Sequence, residues 1–199
     1  MNFLAHIYLS GSRDLVKLGN FSADGVRGKD YLNYPLEMQV GILLHRAIDT
    51  FTDEHPLFKK SSRRLYSKYS HYARVIVDIF YDHFLAKNWT DYSKEPLNSF
   101  VQDFYNLVNA NLSLLPPKFQ NLTPYMISGN WLEGYAELEG IASVLGGMDR
   151  RTQMKSKMSL AAEDLVEYYS EFQKDFTPFF KELEIFSNNH LKELEAHYL

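Results

Sequence analysis

Between Arg74 and Trp89 apolar residues fall in almost every direction around a helix of 3.6 residues per turn: Val75, Ile76, Val77, Ile79, Phe80, Tyr81, Phe84 and Leu85. A helix that is apolar all round belongs in the interior of a domain, so this stretch is predicted to be the central helix. Asp78, Asp82 and His83 interrupt it. A carboxylate buried there needs arginines, hydrogen bonds or a metal, because an unpaired buried charge is strongly destabilising. Arg74, four residues before Asp78, is one neutralising partner, and a satisfied core histidine is the plain alternative for His83. Asp78 and Asp82 share a helix face. His83 lies roughly 100° round from Asp82.

The same periodicity organises the rest of the chain. Phe3 to Leu9 is apolar except for His6 and predicts a short buried helix or strand. Arg13 to Asp24 is helical, with Leu15, Val16, Leu18 and Phe21 at the core spacing, and ends at Asp24-Gly25. Asp24 therefore stands near a helix C-terminus, where the macrodipole disfavours a carboxylate and a partner is needed. Pro35 fits the first turn of a helix running to about Thr52. That helix carries His45 and Asp49 at i, i+4, with Arg46 between them. Two potential ligands at this spacing leave one rigid element in the same direction, although a His–Asp hydrogen bond in a core would look alike. Asp53, followed by Pro56, reads as a helix N-cap. Further helices are predicted over Pro96–Asn111, Phe119–Ser128 and Trp131–Leu145, the last ending at Gly146-Gly147. A final one runs from Leu160 to about Leu194, kinked or split at Pro178. No strand-like alternation persists, and the predicted fold is all-α, one irregular multi-helix domain over residues 1–199.

Composition narrows the chemistry. The chain has 199 residues, no cysteine, 14 Phe, 14 Tyr and a formal net charge of -4. Disulfides, thiolate metal sites and cysteine nucleophiles are excluded. The charge gives no global pull toward nucleic acid or an anionic membrane, and no apolar run approaches a membrane span. The first residues lack a basic segment and a long apolar core, so a cytoplasmic protein is expected. Lys59, Lys60, Arg63, Arg64 and Lys68 form a basic run without an intervening acid, either a solvated face or a dock for an acidic partner. Arg150, Arg151, Lys155 and Lys157 read as a solvated connector.

Four segments place acids or histidines in apolar surroundings: His6, Asp24, His45 with Asp49, and Asp78 with Asp82 and His83. Convergence would give a nitrogen and carboxylate site without sulfur. Such a set suits Mn²⁺, Mg²⁺, Fe²⁺ or Zn²⁺, with Mn²⁺ or Mg²⁺ favoured because carboxylates outnumber histidines. A metal of this kind activates water and stabilises a phosphoryl transition state, which makes a metal-dependent phosphoester hydrolase the reading of the residues. A hydrolase of nucleotides or other small phosphoesters, and a non-catalytic all-α protein-binding module with a buried polar network, both remain open.

Met1-Asn2-Phe3-Leu4-Ala5-His6, Gly19-Asn20-Phe21 through Asp24, and Gly41-Ile42 through His45-Arg46 with Ile48-Asp49 make up the first set of motifs. Phe51-Thr52-Asp53 with His55-Pro56, and Asp78 with Tyr81-Asp82-His83-Phe84-Leu85-Ala86 and Trp89, continue it. Together with Trp131-Leu132, Gly147-Met148 and Asp175-Phe176 to Phe179-Phe180, this series resembles the acyl carrier protein phosphodiesterase family, itself similar to HD-type metal-dependent phosphohydrolases. The resemblance implies an HD-like fold and hydrolysis of holo-acyl carrier protein to the apo form and 4'-phosphopantetheine. It also implies a divalent metal, commonly Mn²⁺, and a small, very acidic protein as partner. Asp24, His45, Asp49, Asp82 and His83 are the expected metal ligands. His6, Asp78, Arg46 and Arg74 are expected as catalytic or phosphate-holding groups, and Lys59, Lys60, Arg63 and Arg64 as the partner's dock.

Overall fold

A computed structural model describes residues 1–199 as eleven α-helices joined by short turns, with no strand. In order they are α1 (Phe3–Tyr8), α2 (Asp14–Ser22), α3 (Leu36–Glu54), α4 (Pro56–Tyr69), α5 (Tyr72–Lys87) and α6 (Leu97–Ala110). α7 (Pro117–Ser128), α8 (Trp131–Gly134), α9 (Leu138–Arg151), α10 (Ala161–Glu167) and α11 (Tyr169–Tyr198) complete the chain.

The all-round apolar segment is the centre of the molecule. Ile76, Val77, Phe80, Phe84 and Leu85 of α5 are fully buried, and α1, α4, α9 and α11 pack around them. Aromatic side chains of α11 interlock with α5: Phe172 meets Phe80 edge-on at 5.1 Å, and Phe176 meets both Tyr81 and Phe84. Burying each such ring contributes about 1.5–3 kcal/mol. No helix is long and apolar enough to cross a membrane.

α2 and α3 approach more closely than side chains normally permit. A Cβ on Gly19 would lie 2.2 Å from the Met38 carbonyl oxygen, and one on Gly41 2.1 Å from that of Val16. The missing side chains let the two backbones touch, and this crossing fixes the floor of the site.

Three boundaries differ from those the pattern predicts. α3 runs on through Asp53 to Glu54, and the cap of α4 is His55, whose Nδ1 accepts from the Leu57 N–H at 3.2 Å. The residue before a proline is pushed out of the helical region, so the break falls immediately before Pro56 and not at Asp53. α9 passes through Gly146-Gly147 to Arg151. Each glycine costs a helix about 1 kcal/mol, but buried Leu145 and Asp149 anchor both sides of the pair. The C-terminal segment breaks at Tyr168, and Pro178 lies inside α11, where buried Phe176, Phe179 and Phe180 hold the helix in place.

Candidate metal centre and its cleft

α1, α2 and α3 converge on one point. The rings of His6 (α1) and His45 (α3) stack with centroids 3.9 Å apart. Their outer nitrogens face the same carboxylate: His6 Nε2 is 3.3 Å from Asp49 Oδ1, and His45 Nε2 is 3.1 Å from Asp49 Oδ2. Asp24, in the turn after α2, brings Oδ1 to 3.5 Å from His45 Nε2. The i, i+4 pair thus works as the spacing predicts, and His45 is the partner that Asp24 needed.

Asn20 of α2 determines which nitrogens are free. Its side-chain Oδ1 lies 2.8 Å from His6 Nδ1, and its backbone carbonyl lies 2.7 Å from His45 Nδ1. The amide is held the right way round because Asn20 Nδ2 donates to Ser10 Oγ, which donates to the His6 carbonyl. Both contacts from Asn20 are acceptors, so each Nδ1 carries a hydrogen and each ring, when neutral, turns a lone pair outward from Nε2. Both Nε2 atoms are buried and neither makes an aligned hydrogen bond, despite the short distances to Asp49. Two lone pairs aimed at a carboxylate repel it unless a proton or a cation lies between. The donor set of His6, His45 and Asp49, with ligand atoms within 4.8 Å of one another, therefore fits a divalent ion, with Asp24 at its edge.

A proton on His45 Nε2 can fill the same place between ring and carboxylate. Burial opposes the His45 cation, but the Asp24 and Asp49 carboxylates beside its Nε2 outweigh it and carry its pKa up to about 9. Burial, reinforced by the neighbouring His45 charge, pushes His6 down to about 4. Asp49 is held well below the usual carboxylate range: burial works against its charge, and the close approach of the His45 and His6 rings overcomes that. The neighbouring His45 likewise lowers Asp24.

The cluster opens into a cleft of about 450 Å³ whose rim carries Arg74, Lys118, Arg151 and His71. Arg74 is steered by Asp53, donating to its carbonyl at 2.8 Å, and does not neutralise Asp78. Asp78 lines the cleft and pairs with the Met1 α-amino group at 2.9 Å. Lys118 and Arg151 come from α7 and α9, far along the chain, and carry no sequence signal beyond an isolated lysine and a basic pair.

Three expected site residues lie elsewhere. Asp82 is fully buried and accepts from the Leu4 N–H at 2.8 Å and the Ala5 N–H at 3.3 Å. It supplies from α5 the capping bonds that Asn2, the local N-cap, does not make. Both its oxygens are thereby engaged away from the cluster. His83 points away from the cluster, its Nδ1 on the Tyr135 carbonyl and its Nε2 on Tyr169 Oη, so it is a satisfied core histidine. Arg46 reaches the Val26 carbonyl and covers the Tyr31 ring, bracing the loop after Asp24 without entering the cleft. Its position one residue past His45 turns it away.

The basic run on α4 splits in two. Lys60 and Arg64 pair with buried Asp175, and Lys68 with Asp164. Lys59 and Arg63 are exposed and form no ion pair. They line a shallow hollow together with His71 and Arg74, the two residues it shares with the cleft.

Fold and site together define an all-α protein with a histidine–carboxylate centre beneath a cation-rimmed cleft. A model of the family described as acyl carrier protein phosphodiesterase matches residues 1–183. Proteins named acyl carrier protein phosphodiesterase show the same relationship. The one from Yersinia enterocolitica is 36% identical over 181 residues, covering 90% of this chain and 94% of its own. That of Photorhabdus laumondii is 37% identical over 184 residues, covering 90% and 91%. That of an Enterobacter species is 35% identical over 190 residues, covering 95% and 98%. No solved structure matches the chain. The chain belongs to the acyl carrier protein phosphodiesterase family, and with it to the phosphoric diester hydrolases.

Proposed function

We propose that this protein hydrolyses the phosphodiester joining 4'-phosphopantetheine to a serine of holo-acyl carrier protein, releasing apo-acyl carrier protein and 4'-phosphopantetheine, with Mn²⁺ as its metal. The observation that carries the reading is the pair of buried, unpartnered Nε2 atoms directed at Asp49 under a cleft rimmed by Arg74, Lys118 and Arg151. His6, His45 and Asp49 would hold the ion, with Asp24 beside them. A divalent cation there would supply Lewis-acid stabilisation of the phosphoryl oxygens and would activate water near neutral pH. With both Nδ1 atoms engaged by Asn20, each imidazole would offer its Nε2 to the ion without reorienting. The three cations hold the anionic diester and stabilise the charge that grows on its oxygens during displacement. The carrier, an acidic protein, would settle on Lys59 and Arg63, from which His71 and Arg74 lead into the cleft.

The test is incubation of holo carrier with the purified protein after chelation and again after Mn²⁺ is restored. The expected result is loss of the phosphopantetheine mass from the carrier only in the metal-loaded sample. Turnover unaffected by chelation would remove the metal from the mechanism. Hydrolysis of small phosphoesters without any action on holo carrier would reassign the substrate.

A further inference from the structure

Beside the cleft lies a second cavity of about 320 Å³, at the lower end of the roughly 300–1,000 Å³ typical of small-molecule sites. It is not separate: Asn2, Phe3, Met148 and Arg151 line both, so the two spaces join along one wall. Its character differs from that of the cleft. No carboxylate lines it, and aromatic and aliphatic side chains, among them Trp131, Tyr125 and Val144, make up most of its surface. Tyr125 is 70% exposed at its edge. Polar groups are few and neutral inside it, namely Ser143, Tyr135 and Asn2, whose amide donates to Tyr135 Oη at 3.0 Å. The cations, Arg150 and Arg151, belong to the last turn of α9.

We infer that this cavity is the subsite for the pantetheine arm, its phosphate end at Arg151 and its neutral chain lying against Trp131 and Val144. The inference rests on the holo-carrier reading of the cleft. A pantetheine chain is uncharged beyond its phosphate and alternates methyl and methylene groups with two amides. An apolar slot containing a few neutral hydrogen-bonding groups complements that alternation, whereas a second carboxylate or a continuous lysine surface would not. Arg151 stands where the two spaces meet, at the position an arm must cross when its phosphate lies over the histidine–carboxylate centre. The neutral arm thus has a place to lie that does not compete with the cations needed by the diester, and Trp131 becomes a specificity-determining residue.

The test uses the full chain and the emission of Trp131; the other tryptophan, Trp89, is buried and hydrogen-bonded to the Glu95 carbonyl. Pantetheine and 4'-phosphopantetheine are both expected to shift or quench that emission, the phosphorylated form at lower concentration. Gly147→Phe is the blocking variant. Gly147 is helical and lines the cavity, and a Cβ there meets nothing closer than Arg150 Nη2 at 3.8 Å, so a large side chain enters the space without pressing on backbone. It should abolish the response to pantetheine and raise the Michaelis constant for holo carrier about tenfold, equivalent to about 1.4 kcal/mol. Ser143→Tyr, placed at an exposed position of the same wall, gives the same readout should the first variant fold poorly. Emission unmoved by pantetheine at saturating concentration overturns the inference, and so does a response to adenosine monophosphate in its place. A response to pantetheine by a protein that leaves holo carrier intact supports the subsite and overturns the holo-carrier reading instead.

Discussion

Asn20 shows how much one residue can decide. Its side chain and its own carbonyl orient two different histidines, and the same amide is held by Ser10. Asn20→Ala is expected to fold and to bind Mn²⁺ about ten- to a hundredfold more weakly, as loss of an outer partner of a metal ligand does. Titration followed by electron paramagnetic resonance would measure it, and unaltered affinity would show that the rings need no such guide. Asp82 is the second case. Burial pushes its carboxyl up to about 7, against the bonds it accepts from Leu4 and Ala5 and the nearby α-ammonium. The unfolded carboxyl titrates near 3.8, so between about pH 4 and pH 7 the folded state holds more protons at this position than the unfolded one. Its contribution to stability therefore falls as pH rises across that window, by at most about 1.4 kcal/mol per pH unit. Asp82→Asn lacks this slope, and its stability relative to the parent should increase from pH 5 to pH 8 in paired denaturant titrations. A difference that stays flat with pH would mean that Asp82 is ionised throughout.

At the scale of elements, the site depends on one helix crossing. Gly41 places α3 against the Val16 carbonyl and the Asn20 backbone nitrogen, with no room for a Cβ at either. Gly41→Ala should push α2 and α3 apart, cost about 1–3 kcal/mol as overpacking does, and separate Asn20 from His45. Activity is expected to fall further than the drop in melting temperature alone accounts for. An equal melting temperature would show that the crossing can relax. α1 depends on its neighbours in another way. Six residues are too few to be stable alone, and the unpaired N–H groups of its first turn are satisfied by Asp82 on α5, so His6 is positioned by a tertiary cap and not by its own helix.

Across the whole molecule, the charges of α4 have two separate duties. Arg64 and Lys60 compensate Asp175, which is 2% exposed and also accepts from Ser61 Oγ. Lys59 and Arg63 remain free on the approach to the cleft. Arg64→Ala is expected to lower stability by about 1–3 kcal/mol by removing a partner of a buried carboxylate. The double variant Lys59→Glu with Arg63→Glu should leave stability nearly unchanged and raise the Michaelis constant for holo carrier several-fold at low salt. That rise should shrink as ionic strength increases. A Michaelis constant insensitive to both substitutions would place the carrier on another face.

By itself the sequence determined that the protein is all-α, that α5 lies at its centre, and that His45 and Asp49 leave α3 together, because each follows from helical periodicity over a few turns. Family membership was legible for a related reason, since its motifs are short and contiguous. Which ionisable groups meet was decided only by the packing. Asp78, Asp82 and His83 share the apolar surroundings of one helix with equal claims on a metal, yet Asp82 caps α1, His83 finds Tyr135 and Tyr169, and Asp78 faces the α-amino group. Their partners come from residues 1 to 169, and no local pattern encodes such pairings. The contributions of Asn20, Lys118 and Arg151 were equally out of reach, because a side chain becomes part of a site only when distant backbone brings an atom to within about 3 Å of it.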